Sequence, residues 1–130
     1  MKIYTGYYAK LPLYESNGLI GISIAGKAPA FWETSDRLQY KKLAPKYWFF
    51  QKYKSGEYKE HDYRIAYYKE VLNTLKAKNV FNELAKLSYN SDKIILLCYE
   101  KPGDFCHRRI VADWLETELD IKVPEFKIKS

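Results

Sequence analysis

Apolar and polar positions alternate, cluster and recur along this chain in ways that mark out most of its elements. Ile94, Ile95, Leu96 and Leu97 form an uninterrupted apolar run rich in β-branched residues, which predicts a strand buried on both faces and therefore a central strand. Pro102-Gly103 marks a turn after it, and Asp104 is placed to cap a following helix with its carboxylate. Ile110, Val111, Trp114, Leu115 and, more weakly, Leu119 recur at helical spacing, so residues 105–118 are expected to form a helix with one buried face.

The same reading extends to the rest of the chain. Residues 2–5 predict a first strand with Gly6 after it, and residues 19–24 a second strand entered through the Asn17-Gly18 turn. Residues 7–17 lack a clean period and are expected to be irregular or weakly helical. Phe31 and Trp32 open a connection to Leu43 that reads as a lid or pocket wall. Helices are expected from Pro45 to Lys54, over 60–75 and over 79–88, and the Tyr89-Asn90-Ser91-Asp92 turn leads into the apolar strand. Residues 119–124 form a connector and 126–129 a final edge strand. The aromatic stripe of Tyr47, Trp48 and Phe50 suits core packing better than base stacking, and His61 has no partner near it in sequence and reads as a surface residue.

Composition narrows the class. A chain of 130 residues is expected to make one domain, with no internal repeat or linker, and can bury a core without disulfides. The 47% hydrophobic and 29% charged residues exclude a disordered chain, and 13 tyrosines are the compositional oddity. A net charge of +6 permits an acidic partner but is not organised into a long basic run. No apolar segment approaches the roughly 20 residues of a membrane span, and the start leads straight into strand-like sequence, so a cytoplasmic protein with reduced thiols is expected.

Candidate chemistry concentrates between residues 98 and 108. A helix opening near Asp104 would hold Cys106 and His107 in its first turn, where free amides and the helix dipole favour an anion or a thiolate. Cys106 is then the candidate nucleophile, His107 its acid or base, and Glu100 an orienting or second acid-base group. Adjacent helical residues point about 100° apart, so Cys106 and His107 need not face one ligand; a version without a nucleophile uses only Glu100 and His107. Cys98 shares strand parity with Glu100 at the carboxyl edge where open α/β sheets bind ligands, and Arg108 can grip an anion with two hydrogen bonds. Thr5 and Gly6 are expected to reach the same pocket. Gly26-Lys27 after the second strand offers a phosphate contact, without a P-loop or dinucleotide-binding motif around it. Cys98, Cys106 and His107 are also potential zinc ligands, but their spacing matches no finger or ribbon and no metal is assigned. A reversible Cys98–Cys106 disulfide and two merely buried thiols stay open beside these readings.

The block Leu96-Leu97-Cys98-Tyr99-Glu100-Lys101, then Cys106-His107-Arg108, then Ile110-Val111-Ala112-Asp113-Trp114-Leu115 resembles the C-terminal signature of the family called domain of unknown function 488. Ile3-Tyr4-Thr5-Gly6-Tyr7, Ser23-Ile24-Ala25-Gly26-Lys27-Ala28-Pro29 and Leu43-Ala44-Pro45-Lys46 resemble landmarks of its compact members. Many relatives carry an Asp-x-Arg element where this chain has Ser23-Ile24-Ala25, so no role of that pair carries over. The resemblance implies an α/β fold with a Cys and Cys-His-Arg pocket and implies no particular reaction. The expected architecture is Rossmann-like, a small, mainly parallel sheet flanked by helices in three layers. The expected function is that of an enzyme or ligand-binding protein for a small anionic or nucleotide-like ligand, with no cofactor assigned. The alternative is a basic, tyrosine-rich nucleic-acid-binding module without catalysis.

Overall fold

The apolar run lies where its composition demands, in the interior of a parallel sheet. The computed structural model describes residues 1–128, and in it β4 (Lys93–Cys98) is hydrogen-bonded on one side to β1 (Lys2–Tyr7) and on the other to β2 (Ile20–Ser23). A two-residue β3 (Leu38–Gln39) adds to β2, giving the order β1-β4-β2-β3 with every pair parallel. Ile94, Ile95, Leu96 and Leu97 are all fully buried, as expected of a strand covered on both faces.

Strand alternation divides the core into two clusters. Ile3, Ile22, Ile94 and Leu96 face the larger one, formed with α3 (Tyr47–Lys54), α4 (Glu60–Glu70), α5 (Ala77–Leu87) and α6 (His107–Leu119). Ile95 and Leu97 face the other way, toward α1 (Leu11–Ser16) and α2 (Ala30–Glu33), where Leu11, Tyr14 and Trp32 cover them. The result is the expected Rossmann-like α/β sandwich of three layers. No helix of the described residues is long and apolar enough to cross a membrane.

Several expected boundaries move. The first strand continues through Gly6 to Tyr7, because a side chain is missing where space is shortest: a Cβ on Gly6 would stand 2.7 Å from both Ile95 Cδ1 and the Tyr14 hydroxyl. The connection expected to be a lid contains α2 and β3 instead. Trp32 is buried in the smaller core cluster and donates its indole N–H to the Leu38 carbonyl at 3.0 Å, which fixes β3 beside β2. On α3 the inward residue is Phe49, while Tyr47 and Trp48 stay 75% and 44% exposed, so the expected stripe is one position out of phase. The 60–75 helix ends at Glu70 and a tight turn covers Leu72–Thr74. His61 is exposed. Residues 126–128 form no strand; a single parallel bridge pairs Thr5 with Glu125, and residue 129 of the expected strand lies outside the described residues.

Candidate active site

The site forms where β4 ends and α6 begins. Asp104 is not the helix cap: its amide donates to the Lys101 carbonyl at 3.1 Å, closing the Pro102-Gly103 turn, in which Gly103 takes φ +94°. Two further residues pass before the helix starts, and Cys106, extended at φ −150° and ψ 145°, holds the N-cap position. A side chain at that position faces the unpaired amides of the first turn, which favour negative charge. Sequence preference pointed to the aspartate, but the turn uses its backbone before the helix can.

Cys98 at the end of β4 and Cys106 at the head of α6 are joined sulfur to sulfur, the disulfide that the sequence left open beside the other readings. Their Cα atoms are 7.3 Å apart, beyond the roughly 4.4–6.8 Å that a relaxed disulfide spans. The backbone therefore suits a bond that opens readily, leaving two neighbouring thiols in its reduced form, better than a permanent crosslink. Each sulfur has its own polar partner. Arg108 donates from Nη1 to Cys98 Sγ at 3.1 Å, and His107 Nδ1 lies 3.8 Å from Cys106 Sγ.

The imidazole is oriented by the sheet. His107 Nε2 lies 2.8 Å from the Ile24 carbonyl oxygen; a carbonyl can only accept, so Nε2 carries the proton, and in the neutral ring Nδ1 presents its lone pair to Cys106. Burial lowers the His107 pKa to about 4, opposed by the Ile24 hydrogen bond and helped by the neighbouring Arg108 charge. At neutral pH the ring is thus a proton acceptor aimed at a thiol. Adjacent residues do face one centre here, because Cys106 is extended and only His107 has entered the helix.

Arg108 is almost wholly enclosed, 1% exposed, and its guanidinium ties the junction together. It binds Glu125 with two parallel hydrogen bonds, Nε to Oε1 at 3.0 Å and Nη2 to Oε2 at 2.8 Å, and donates to the Glu100 carbonyl at 2.6 Å. Thr5 is also buried, donating to Glu125 Oε1 and accepting from Arg109 Nη1 at 2.8 Å. Gly6 lies in the sheet floor beside the Tyr14 hydroxyl. The Glu100 carboxylate points elsewhere, to Lys54 at 3.5 Å, and joins Cys106, His107, Tyr53 and Tyr63 around a narrow cleft of about 20 Å³, room for roughly one water. Lys27 is exposed on the loop after β2, and it is its carbonyl, accepting from the Tyr99 hydroxyl at 2.7 Å, that ties this loop to the strand end. Sequence reasoning missed Glu125 and Arg109. Glu125 is 17 residues from Arg108 and 120 from Thr5, so no local spacing reveals it.

Cys98, Cys106 and His107 bring one donor atom each within 4.8 Å of one another, a set that soft divalent metals accept. Arg108 already places positive charge on the Cys98 side of that set, which is the arrangement that stabilises a thiolate without an ion. Ser23 is buried and shares a 2.6 Å hydrogen bond with the Tyr8 hydroxyl.

Two paired cysteines flanked by an imidazole and a guanidinium, at the carboxyl edge of a parallel sheet, define an α/β protein with a cysteine centre. The chain belongs to the family of domain of unknown function 488: the family description "Active DUF488-N3 subclade" matches residues 27–119. No curated protein and no solved structure matches the chain.

Proposed function

We propose that the chain is a thiol-dependent enzyme acting on a small anionic, nucleotide-like ligand, with Cys98 and Cys106 as its reacting pair. The observation that carries this reading is the division of labour at the two sulfurs, a neutral Nδ1 beside Cys106 and a guanidinium beside Cys98. Cys106 passes its proton to His107 Nδ1 and attacks an electrophilic centre of the ligand. An Sγ–ligand bond forms, the bond to the leaving group breaks with its electron pair, and the leaving group takes the proton back from His107. Glu100 is the second acid-base group, placed at the cleft to serve the water that releases the adduct. Arg108 keeps Cys98 poised as a thiolate and stands beside the charge of the ligand, with Thr5 and Gly6 forming the floor.

A second reading exchanges the cysteines. The 3.1 Å contact from Arg108 favours charge on Cys98, which makes it the attacking thiolate and Cys106 the group that completes turnover. Alkylation rates of folded Cys98→Ala and Cys106→Ala proteins across pH test both. The thiol whose reactivity titrates well below the ordinary value of about 8.5 is the nucleophile. If both thiols label only on unfolding, the thiol mechanism is wrong.

A further inference from the structure

The cleft beside Cys106, about 20 Å³, is too small for a nucleotide, so the ligand needs another place. The topology supplies one. From β1 the chain crosses to α1 on the smaller-cluster face, whereas from β4 it crosses to α6 on the opposite face. Neighbouring parallel strands whose connections part in this way leave a crevice outside their carboxyl ends, the usual ligand site of open α/β sheets. Here that crevice is a cavity of about 590 Å³, bounded by Tyr7 and Tyr14, the Pro102-Gly103-Asp104 turn, Arg108 and Arg109, and Phe126 with Lys127. Its size falls in the roughly 300–1,000 Å³ range of small-molecule pockets.

The geometry points to this crevice as the site of a nucleoside monophosphate, its base against Tyr7, Tyr14 and Phe126 and its phosphate toward Arg109 and Lys127. The inference rests on the proposed function and gives the bound part of its ligand a location beside the cysteine pair: Arg108 lines the crevice and neither cysteine does, so the reacting end must reach past Arg108. Charge and hydrogen bonding support it separately. Arg108 and Glu125 neutralise one another through their paired bonds, leaving Arg109 and Lys127 against Asp104 alone. Tyr14, only 1% exposed, accepts from the Tyr7 amide at 3.3 Å, and among the described residues nothing accepts its own proton. A buried hydroxyl donor on the wall of a cavity calls for an acceptor in the ligand. Phe126 meets the Tyr4 and Tyr14 rings edge-on at 5.4 and 5.6 Å, so the aromatic wall is braced. Arg108 lines the cavity and touches Cys98, which connects the ligand's anion to the thiol pair.

The test is calorimetric titration of the whole chain with adenosine, guanosine, cytidine and uridine monophosphates, with the nucleosides and inorganic phosphate as halves of the ligand. Saturable binding of a monophosphate is expected, tighter than either half. Lys127→Gln and Phe126→Ala, both at accessible positions, should each weaken it about fivefold, a loss typical of one ion pair or one aromatic wall. The same titration of a Cys98→Ser/Cys106→Ser protein separates the two ideas. Binding there with no activated thiol in the native chain keeps the site and discards the mechanism, whereas an activated thiol with no monophosphate binding keeps the mechanism and discards the site. Absence of saturation by all four monophosphates, or binding indifferent to both wall variants, overturns the inference.

Discussion

Protonating His107 should cost this protein a large part of its stability, and the structure sets the size and the pH window. The ring is buried, its Nε2–H is committed to Ile24, and Arg108 lies beside it. Its folded pKa of about 4 is below the ordinary 6.5, so between these values the unfolded chain holds a proton that the folded chain does not. Stability therefore rises with pH across that window: it is complete above about 6.5, falls as the pH drops, and levels off below about 4. At 1.36 kcal/mol for each pKa unit, the 2.5-unit gap corresponds to a loss of about 3 kcal/mol, against a typical total of about 5–15. The His107 contribution is read as a difference between two proteins, so that other groups cancel. His107→Gln keeps an amide N–H for the Ile24 carbonyl and removes the titration. Urea unfolding of both proteins at intervals from pH 7.5 to 4 should give curves that diverge, the native chain losing about 3 kcal/mol more than the variant. Parallel curves would refute the argument, because they would mean that the imidazole titrates as freely in the folded chain as in the unfolded one.

Three further perturbations test the junction and the sheet. Arg108→Ala leaves the Glu125 carboxylate with only its Thr5 donor and the Glu100 carbonyl without its guanidinium donor, and chemical denaturation should show a loss of about 3–5 kcal/mol, as for other broken buried pairs; a loss under 1 kcal/mol would mean that water replaces the guanidinium freely. Gly6→Ala forces a methyl into the space held by Ile95 and the Tyr14 hydroxyl and should cost about 1–3 kcal/mol, with the Tyr14 ring resonances shifting in NMR spectra; unchanged spectra and stability would refute the close packing. Trp32→Phe removes the indole bond that ties β3 to the edge, so amide exchange at the β2–β3 pairs should quicken by about fivefold, the effect of losing one hydrogen bond near 1 kcal/mol.

What the sequence made legible follows the range over which each signal acts. The 94–97 run and the 110–119 periodicity report burial directly, since a strand covered on both faces must be apolar throughout and a helix needs one apolar stripe. Both elements stand where that reasoning puts them. Cys98, Cys106, His107 and Arg108 are brought to one junction because strand, turn and helix follow each other with little room to diverge, and Thr5 joins them through the pairing of β1 with β4. β3 escaped notice because two residues carry no period, and its position is set by Trp32, a side chain of the preceding helix. The cap moved from Asp104 to Cys106 because the Pro102-Gly103 turn takes the aspartate's amide first, a competition between two local rules that residue preferences alone do not decide. Glu125 was invisible for a different reason: its partners come from the first strand and the last helix, and only the assembled sheet brings them together.

That last point separates the chemistry from the choice of ligand. The stretch matched by the family, 27–119, contains Cys98, Glu100, Cys106, His107 and Arg108, the whole of the thiol centre. Thr5, Glu125 and the walls made by Tyr7, Tyr14, Phe126 and Lys127 lie outside it, on the first strand and helix and on the segment after α6. These outlying parts are not passive cover, since Glu125 holds Arg108 at the angle from which it reaches Cys98, 3.1 Å away. The guanidinium is then the one group shared by both halves, polarising the sulfur on one side and lining the cavity on the other. On the proposed reading, a ligand that draws Arg108 or Glu125 toward its own charge would alter the setting of a Cys98 thiolate and so couple binding to reactivity through a single side chain. Changes to Phe126 or Lys127 should shift which anions bind while the thiol titrates as before, whereas changes to Glu125 should move both together.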